Sequence, residues 1–344
     1  MHAYTEALIR EMEAFSEKAR DYTVDTVFFG GGTPTLMPLS DIEAIIEAVR
    51  RCFCVHSDAE ITLEANPATA DREKLRALRT LGFNRISVGV KSFSDKELNA
   101  LGRVHTAAEA KAFLWDVREA GFFNVNIDLM YGIPHQTPES FQKTLKEALS
   151  HAPEHISAYS LIIEEGTPFF ERCDTLPLPS EDTEALLHNE LCKTLGEAGY
   201  SHYEISNFAR EGYLSRHNLR YWRCEEYLGF GAAAYSFFGG ERYGNVRDMD
   251  KYMKNPTDAV FEKEVLSEQA LAYEYIMLHL RTSEGLSLNE YERRFGVKLK
   301  QRYREEISRF CALGWLKDGE DTLALTEEGM RFSNTVLVAF MEDF

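Results

Sequence analysis

Along the first half of the chain, short apolar runs alternate with Gly/Pro punctuation and with stretches whose apolar residues recur at helical spacing. The runs are Thr26-Val-Phe-Phe29, Glu60-Ile-Thr-Leu-Glu64, Arg85-Ile-Ser-Val-Gly89, Asn124-Val-Asn-Ile-Asp-Leu129 and His155-Ile-Ser-Ala-Tyr-Ser-Leu161. Their starts lie 34, 25, 39 and 31 residues apart, which leaves room for a helix in each interval and predicts βα units of a parallel sheet. Strands covered by helices carry such near-continuous apolar character. Leu39-Ser-Asp-Ile-Glu43 reads as a helix start with an N-cap and first-turn acids, and Ser94-Asp-Lys-Glu97 as a capping box. A helix is also predicted from Tyr4 to about Lys18. Parallel βα arrays normally open on a strand, so a first strand is expected to be missing. The alternative is a barrel that simply begins with a helix.

Between about 166 and 250 the pattern loosens, with Thr175-Leu-Pro-Leu-Pro-Ser180 as a loop and many aromatics after it. From Leu266 it is helical. Leu313 to Gly329 then reads as a helix end, a short hairpin at Asp318-Gly319 and a capped final helix, the outline of a winged helix. The expected division is a partial barrel over 1–165, a barrel extension over 166–255 and a winged-helix-like module over 256–344.

Composition narrows the function classes. With 38 basic and 56 acidic side chains the net charge is −18, so most of the surface repels polyanions and no nucleic-acid partner is expected. The C-terminal module is accordingly read as a lid or interaction module. No apolar run reaches 18 residues, so no integral membrane segment is expected, and the acidic, amphipathic start is unlike a signal peptide. Cysteines at 52, 54, 173, 192, 224 and 311 lack a paired zinc spacing and predict reduced thiols in the cytoplasm.

The chemistry-bearing strings sit where strands end, the rim on which parallel barrels build their sites. The first strand ends in Gly30-Gly-Gly-Thr-Pro34, whose glycines let backbone N–H groups approach a ligand. The second ends in Glu64-Ala-Asn-Pro67, a carboxylate suited to an ammonium or a ribose hydroxyl. The third ends in Gly89-Val-Lys-Ser-Phe93 and is followed by Leu101-Gly-Arg-Val-His105. In the fourth, Asp128 needs a partner if it is buried, either Arg103 or a ligand amine. Taken alone, each residue reads sooner as a cap or a structural ion pair, and it is four such clusters on one rim that argue for a site.

In order and spacing, FFGGGTPT, ITLEANP, NRISVGVKSF, LGRVH and DLMYGIP resemble the radical S-adenosylmethionine (SAM) proteins of the HemN/HemW group. That group includes oxygen-independent coproporphyrinogen III oxidases and related heme chaperones. The resemblance continues through His217-Asn-Leu-Arg-Tyr-Trp222 and Tyr227-Leu-Gly-Phe-Gly231 and spans essentially the whole chain. It implies an α/β fold, a three-quarter barrel of six parallel strands. It places SAM contacts on Gly31, Gly32, Thr33, Glu64, Arg103 and Asp128. Lys91 stands where the family pattern GVQSF has glutamine, and a charged donor without the amide's acceptor puts the cofactor geometry there in question. His135 stands where YGLPGQT has glycine and is strained if that position needs positive φ.

The family holds a 4Fe–4S cluster on three cysteines of a C-x-x-x-C-x-x-C loop after its first strand. No such spacing occurs in this sequence. One explanation covers the missing strand and the missing thiols: the segment belongs upstream of Met1, and the chain is an N-terminally truncated form. As written it is not expected to assemble the cluster or cleave SAM.

The His-Asn-x-x-Tyr-Trp string resembles the HemW heme chaperones more than the oxidases. It implies heme binding by His217, with Tyr221 and Trp222 flanking the macrocycle, and transfer of the heme to an acceptor protein. A histidine capping a carbonyl among core aromatics is the alternative, and His202 and His105 are rival ligands. Two other functions stay open, a coproporphyrinogen III oxidase and a cluster-less binding module. The oxidase would need Arg/Lys near the barrel mouth, and no arginine-rich string stands out.

Overall fold

The computed structural model describes residues 1–167 and 169–341. The five predicted strands are present as β1 (Thr23–Phe29), β2 (Cys54–Ala65), β3 (Arg85–Lys91), β4 (Val125–Tyr131) and β5 (His155–Ser160). They pair in parallel and in sequence order. Beyond β5 the sheet continues through two antiparallel strands, β6 (Ser201–Glu204) and β7 (Asn207–Ala209), in the order β1-β2-β3-β4-β5-β7-β6. The curled sheet is thus a partial α/β barrel with five parallel strands among the described residues, one fewer than the six expected. β1 forms its edge.

Helices cover the outer face. They are α1 (His2–Phe15), α2 (Leu39–Cys52), α3 (Arg72–Thr80), α4 (Asp95–Ala100), α5 (Ala107–Glu119), α6 (Pro138–Ser150) and α7 (Glu181–Glu197). Their starts follow local chemistry. Asp71 caps α3, while Thr106 and Thr137 form capping boxes with Glu109 and Ser140, the latter with Pro138 in the first turn. Ile42, Leu63, Leu75, Phe83, Ile86, Ile127 and Leu145 are wholly buried between these helices and the sheet. Burying each such side chain contributes about 1.5–3 kcal/mol.

Two caps differ from expectation. α2 begins at Leu39 behind Pro38 and has no side-chain cap. Ser94 makes no cap bond either. Glu97, the expected capping-box partner, is 1% exposed and accepts from the hydroxyls of Ser92 and Ser140, each at 2.6 Å. A buried carboxylate surrounded by donors is better satisfied there than by reaching back over a short exposed helix.

The loosely patterned middle is more regular than expected. Leu187, Leu191 and Leu195 recur at helical spacing and bury one face of α7 in the barrel core. After α8 (Arg216–Trp222), strands Tyr235–Phe238, Glu241–Asn245 and Val260–Val265 form a separate antiparallel sheet.

The C-terminal module has its own core around Tyr291, Tyr303, Phe310, Leu323 and Phe340. A three-stranded sheet of Leu286–Ser287, Leu316–Asp318 and Thr322–Leu325 includes the predicted hairpin and supplies the wing. The module docks on β6. Arg281 pairs at 2.9 Å with Glu204, itself 1% exposed, and the Ile205 N–H donates to the Arg281 carbonyl at 3.2 Å. No described helix is long and apolar enough to cross a membrane.

Candidate functional site on the barrel rim and lumen

The rim residues converge through hydrogen bonds. Gly31 takes φ +82°, a conformation open to glycine, and its N–H donates to the Glu64 carboxylate. A Cβ on Gly30 would stand 2.7 Å from the Phe28 ring and 2.9 Å from Glu64 Oε2, so a larger residue there would push these side chains aside. Asn66 links the next elements: its Nδ2 donates to Thr33 Oγ1 at 2.9 Å, and its Oδ1 accepts from Arg103 Nη2 at 2.6 Å. At the end of β3, Lys91 Nζ meets Asp128 Oδ2 at 3.2 Å. Asp128 Oδ1 also accepts from Asn126 Nδ2 at 2.7 Å.

Electrostatics bind the cluster together. Burial, and then the neighbouring Asp128, push the Glu64 carboxyl above the usual carboxylate range. Burial lowers the pKa of the Arg103 guanidinium, with Asp128 opposing the shift. The result is two carboxylates, a guanidinium, an ammonium and a glycine loop linked along the ends of β1 to β4. Such a set recognises a ligand that carries both an ammonium and a carboxylate. Gly32 lies exposed in the same loop, where a Cβ would meet open space.

Lys91 and His135, the two departures from the family pattern, both take positive φ, +69° and +68°. Both are non-glycine residues in left-handed backbone.

Behind the rim the lumen encloses a cavity of about 290 Å³ lined by Phe28, Glu64, Arg85, Asp128, His217 and Tyr221, among others. This is at the small end of ordinary ligand pockets, about 300–1,000 Å³. α8 brings His217 to it. Ser215 caps the helix, and the His217 and Arg216 N–H groups donate to the buried Glu60 carboxylate at 3.1 and 3.3 Å. The imidazole stacks on Phe28 with ring centres 5.0 Å apart. Its Nδ1 meets Thr26 Oγ1 at 2.9 Å and its Nε2 meets the Tyr221 hydroxyl at 2.8 Å. Burial, with Arg85 nearby, lowers its pKa to about 4, so the ring is neutral.

His217 and Tyr221 therefore share one face of α8, as residues four apart do. Trp222 does not join them. It packs beside Tyr203 and Leu219, and Arg281 lies over its ring at 4.6 Å. The expectation that Tyr221 and Trp222 flank one macrocycle at His217 does not match this geometry, because five residues of helix turn Trp222 away. Of the rival ligands, His105 is buried with Nε2 on the Val90 carbonyl at 3.1 Å, and His202 lies on β6 outside the lumen.

Two site residues carry weaker sequence signals. Asn66 stands inside a quoted string, yet only the fold shows that it joins Thr33 to Arg103. Arg85 opens an apolar strand, is 2% exposed and lines the cavity with Nε unpartnered. A charge at the head of such a run is the available signal.

Comparison with known proteins places this geometry. Residues 2–148 match the radical SAM superfamily model, and residues 266–332 match the HemN C-terminal domain. The chain is 34% identical over 345 residues to the heme chaperone HemW of Lactococcus lactis, covering 99% of this chain and 90% of that one. The chain belongs to the HemW group of radical SAM proteins. The heme chaperone HemW of Bacillus subtilis is likewise 34% identical, over 98% of this chain and 91% of its own. Coproporphyrinogen III oxidase (HemN) of Escherichia coli shares the fold, with a TM-score of 0.85 at 24% identity over 99% of this chain and 83% of that one.

Members of this superfamily carry a 4Fe–4S cluster, and the residues present here do not fit one. Such a cluster needs converging thiolates. Cys52 ends α2 and Cys54 opens β2, at the end of the strand opposite the rim. The described grouping of cysteine, histidine and carboxylate ligands contains a single thiol, Cys192.

Proposed function

We propose that this HemW-group chain is a heme-binding chaperone whose rim binds SAM, delivering heme to an acceptor protein in the cytoplasm. The near full-length likeness to curated heme chaperones carries this reading, and the placement of His217 against the lumen supports it. Scattered cysteines and the lack of a described membrane-crossing helix suit the location.

For SAM, Glu64 and Asp128 would hold the ammonium end, Arg103 the carboxylate, and the Gly31–Thr33 backbone the methionine moiety. Bound SAM supplies a sulfonium and an adenosyl group. The chain's own residues supply orientation and charge. Lys91 already occupies Asp128, so SAM must compete with an internal cation.

For heme, His217 is the residue that would hold the iron, through Nε2. Thr26 fixes the other nitrogen, as a partner of a ligating imidazole commonly does. The neutral ring is the ligating form. His217 must first release Tyr221, so access requires the Tyr221 side chain to swing away from the imidazole.

The test is heme titration of the intact chain and of His217→Ala. A Soret band in the parent that weakens at least tenfold in affinity in the variant supports the reading. An equal band in both removes His217 from it. Decarboxylation of coproporphyrinogen III by the chain would instead favour the oxidase.

A further inference from the structure

Away from the rim, a second polar cluster joins three elements that the heme and SAM chemistry does not use. His188 and Cys192 lie four residues apart on one face of α7. Cys192 Sγ is 3.7 Å from His188 Nδ1 and 4.0 Å from His202 Nδ1 on β6. The Glu327 carboxylate of the C-terminal module completes the group, with Cys192, His202 and Glu327 ligand atoms all within 4.8 Å of one another. We propose that Cys192, His202 and Glu327, with His188 beside the sulfur, form a binding site for a Zn²⁺-type divalent cation that clamps the C-terminal module to the barrel.

Three features argue for a metal rather than a chance meeting of polar groups. The spacing is right: zinc bonds of about 2.3 Å to sulfur and 2.0–2.1 Å to nitrogen put tetrahedral S and N ligands about 3.6 Å apart, close to both Cys192–His separations. The orientation is right as well. His202 Nε2 sits 3.1 Å from the Ile205 carbonyl, which holds the proton on Nε2 and leaves the Nδ1 lone pair facing Cys192. The ligand set is also right, since an imidazole, a thiolate and a carboxylate suit a borderline-soft dication better than Mg²⁺ or Ca²⁺.

The surroundings agree. Binding would displace one proton from the Cys192 sulfur. Glu327 is exposed and gives an ion a way in.

The site is independent of the rim residues and of His217, so its test does not depend on theirs. The full chain, stripped with a chelator, is titrated with Co²⁺ and then with Zn²⁺. One equivalent of Co²⁺ should give intense tetrahedral d–d bands and a thiolate-to-cobalt charge-transfer band, displaced stoichiometrically by Zn²⁺. The charge-transfer band should vanish in Cys192→Ser and persist in Cys311→Ser. Affinity should fall about 100-fold in His202→Ala and roughly tenfold in Glu327→Gln, the latter at an exposed position that leaves folding intact. Should Cys192→Ser not fold, the Glu327 and His202 variants decide. No charge-transfer band at one equivalent, or unchanged cobalt affinity in both variants, overturns the proposal.

Discussion

His217 Nδ1 and Thr26 Oγ1 meet at 2.9 Å, joining α8 to the edge strand β1 across 191 residues of sequence. The opposite ring nitrogen is held by Tyr221 at 2.8 Å. The imidazole is therefore fixed at both ends, and under the proposed ligation the Tyr221 bond is the one that heme would replace.

Tyr221→Phe removes that competitor while keeping the ring. A neutral hydrogen bond contributes about 0.5–1.5 kcal/mol net, so heme affinity should rise about 2- to 10-fold. Absorbance titration checks this. A fall in affinity would mean that Tyr221 assists ligation.

Lys91→Gln restores the side chain of the family pattern and frees Asp128. The half-buried ion pair is modest, so SAM affinity measured by calorimetry should rise roughly two- to fivefold. Weaker binding would show that Lys91 itself contacts the ligand.

Glu64 has a folded pKa above its unfolded value, so between the two values the native state holds more protons. Stability contributed by this group therefore falls as pH rises through that interval. Glu64→Gln should unfold at a temperature roughly 1–3 °C higher than the parent at pH 7, with the gap closing as pH falls toward 4. SAM binding should weaken in the same variant. Calorimetric melts across pH measure both the sign and the window.

His135→Gly relieves a left-handed non-glycine residue at φ +68°. Stability should rise by about 1 kcal/mol in urea unfolding. No gain would mean that the extra backbone freedom of glycine in the unfolded chain offsets the relief.

Arg281→Met leaves Glu204 buried without its ion-pair partner and removes the cation over Trp222. The cost should be about 3 kcal/mol, seen as earlier loss of the C-terminal module in denaturant. Smaller losses would show that Asn207, which donates to Glu204 at 2.5 Å, satisfies the carboxylate.

By itself the sequence determined the parallel strands β1–β5, the helix preceding them, the C-terminal hairpin, and the rim strings with their order. These are legible because period and punctuation are local: a strand run, a glycine turn or a proline at a helix start is decided by neighbouring residues. Tertiary structure decided the rest. That β6 and β7 continue the sheet antiparallel, that Glu97 is satisfied in the core, and that Asn66 bridges Thr33 to Arg103 depend on residues far apart along the chain. So does the enclosure of His217 between Thr26 and Tyr221, and the meeting of Cys192, His202 and Glu327. Burial and hydrogen-bond satisfaction act on whichever groups the fold brings within a few ångströms, and no local pattern encodes that distance.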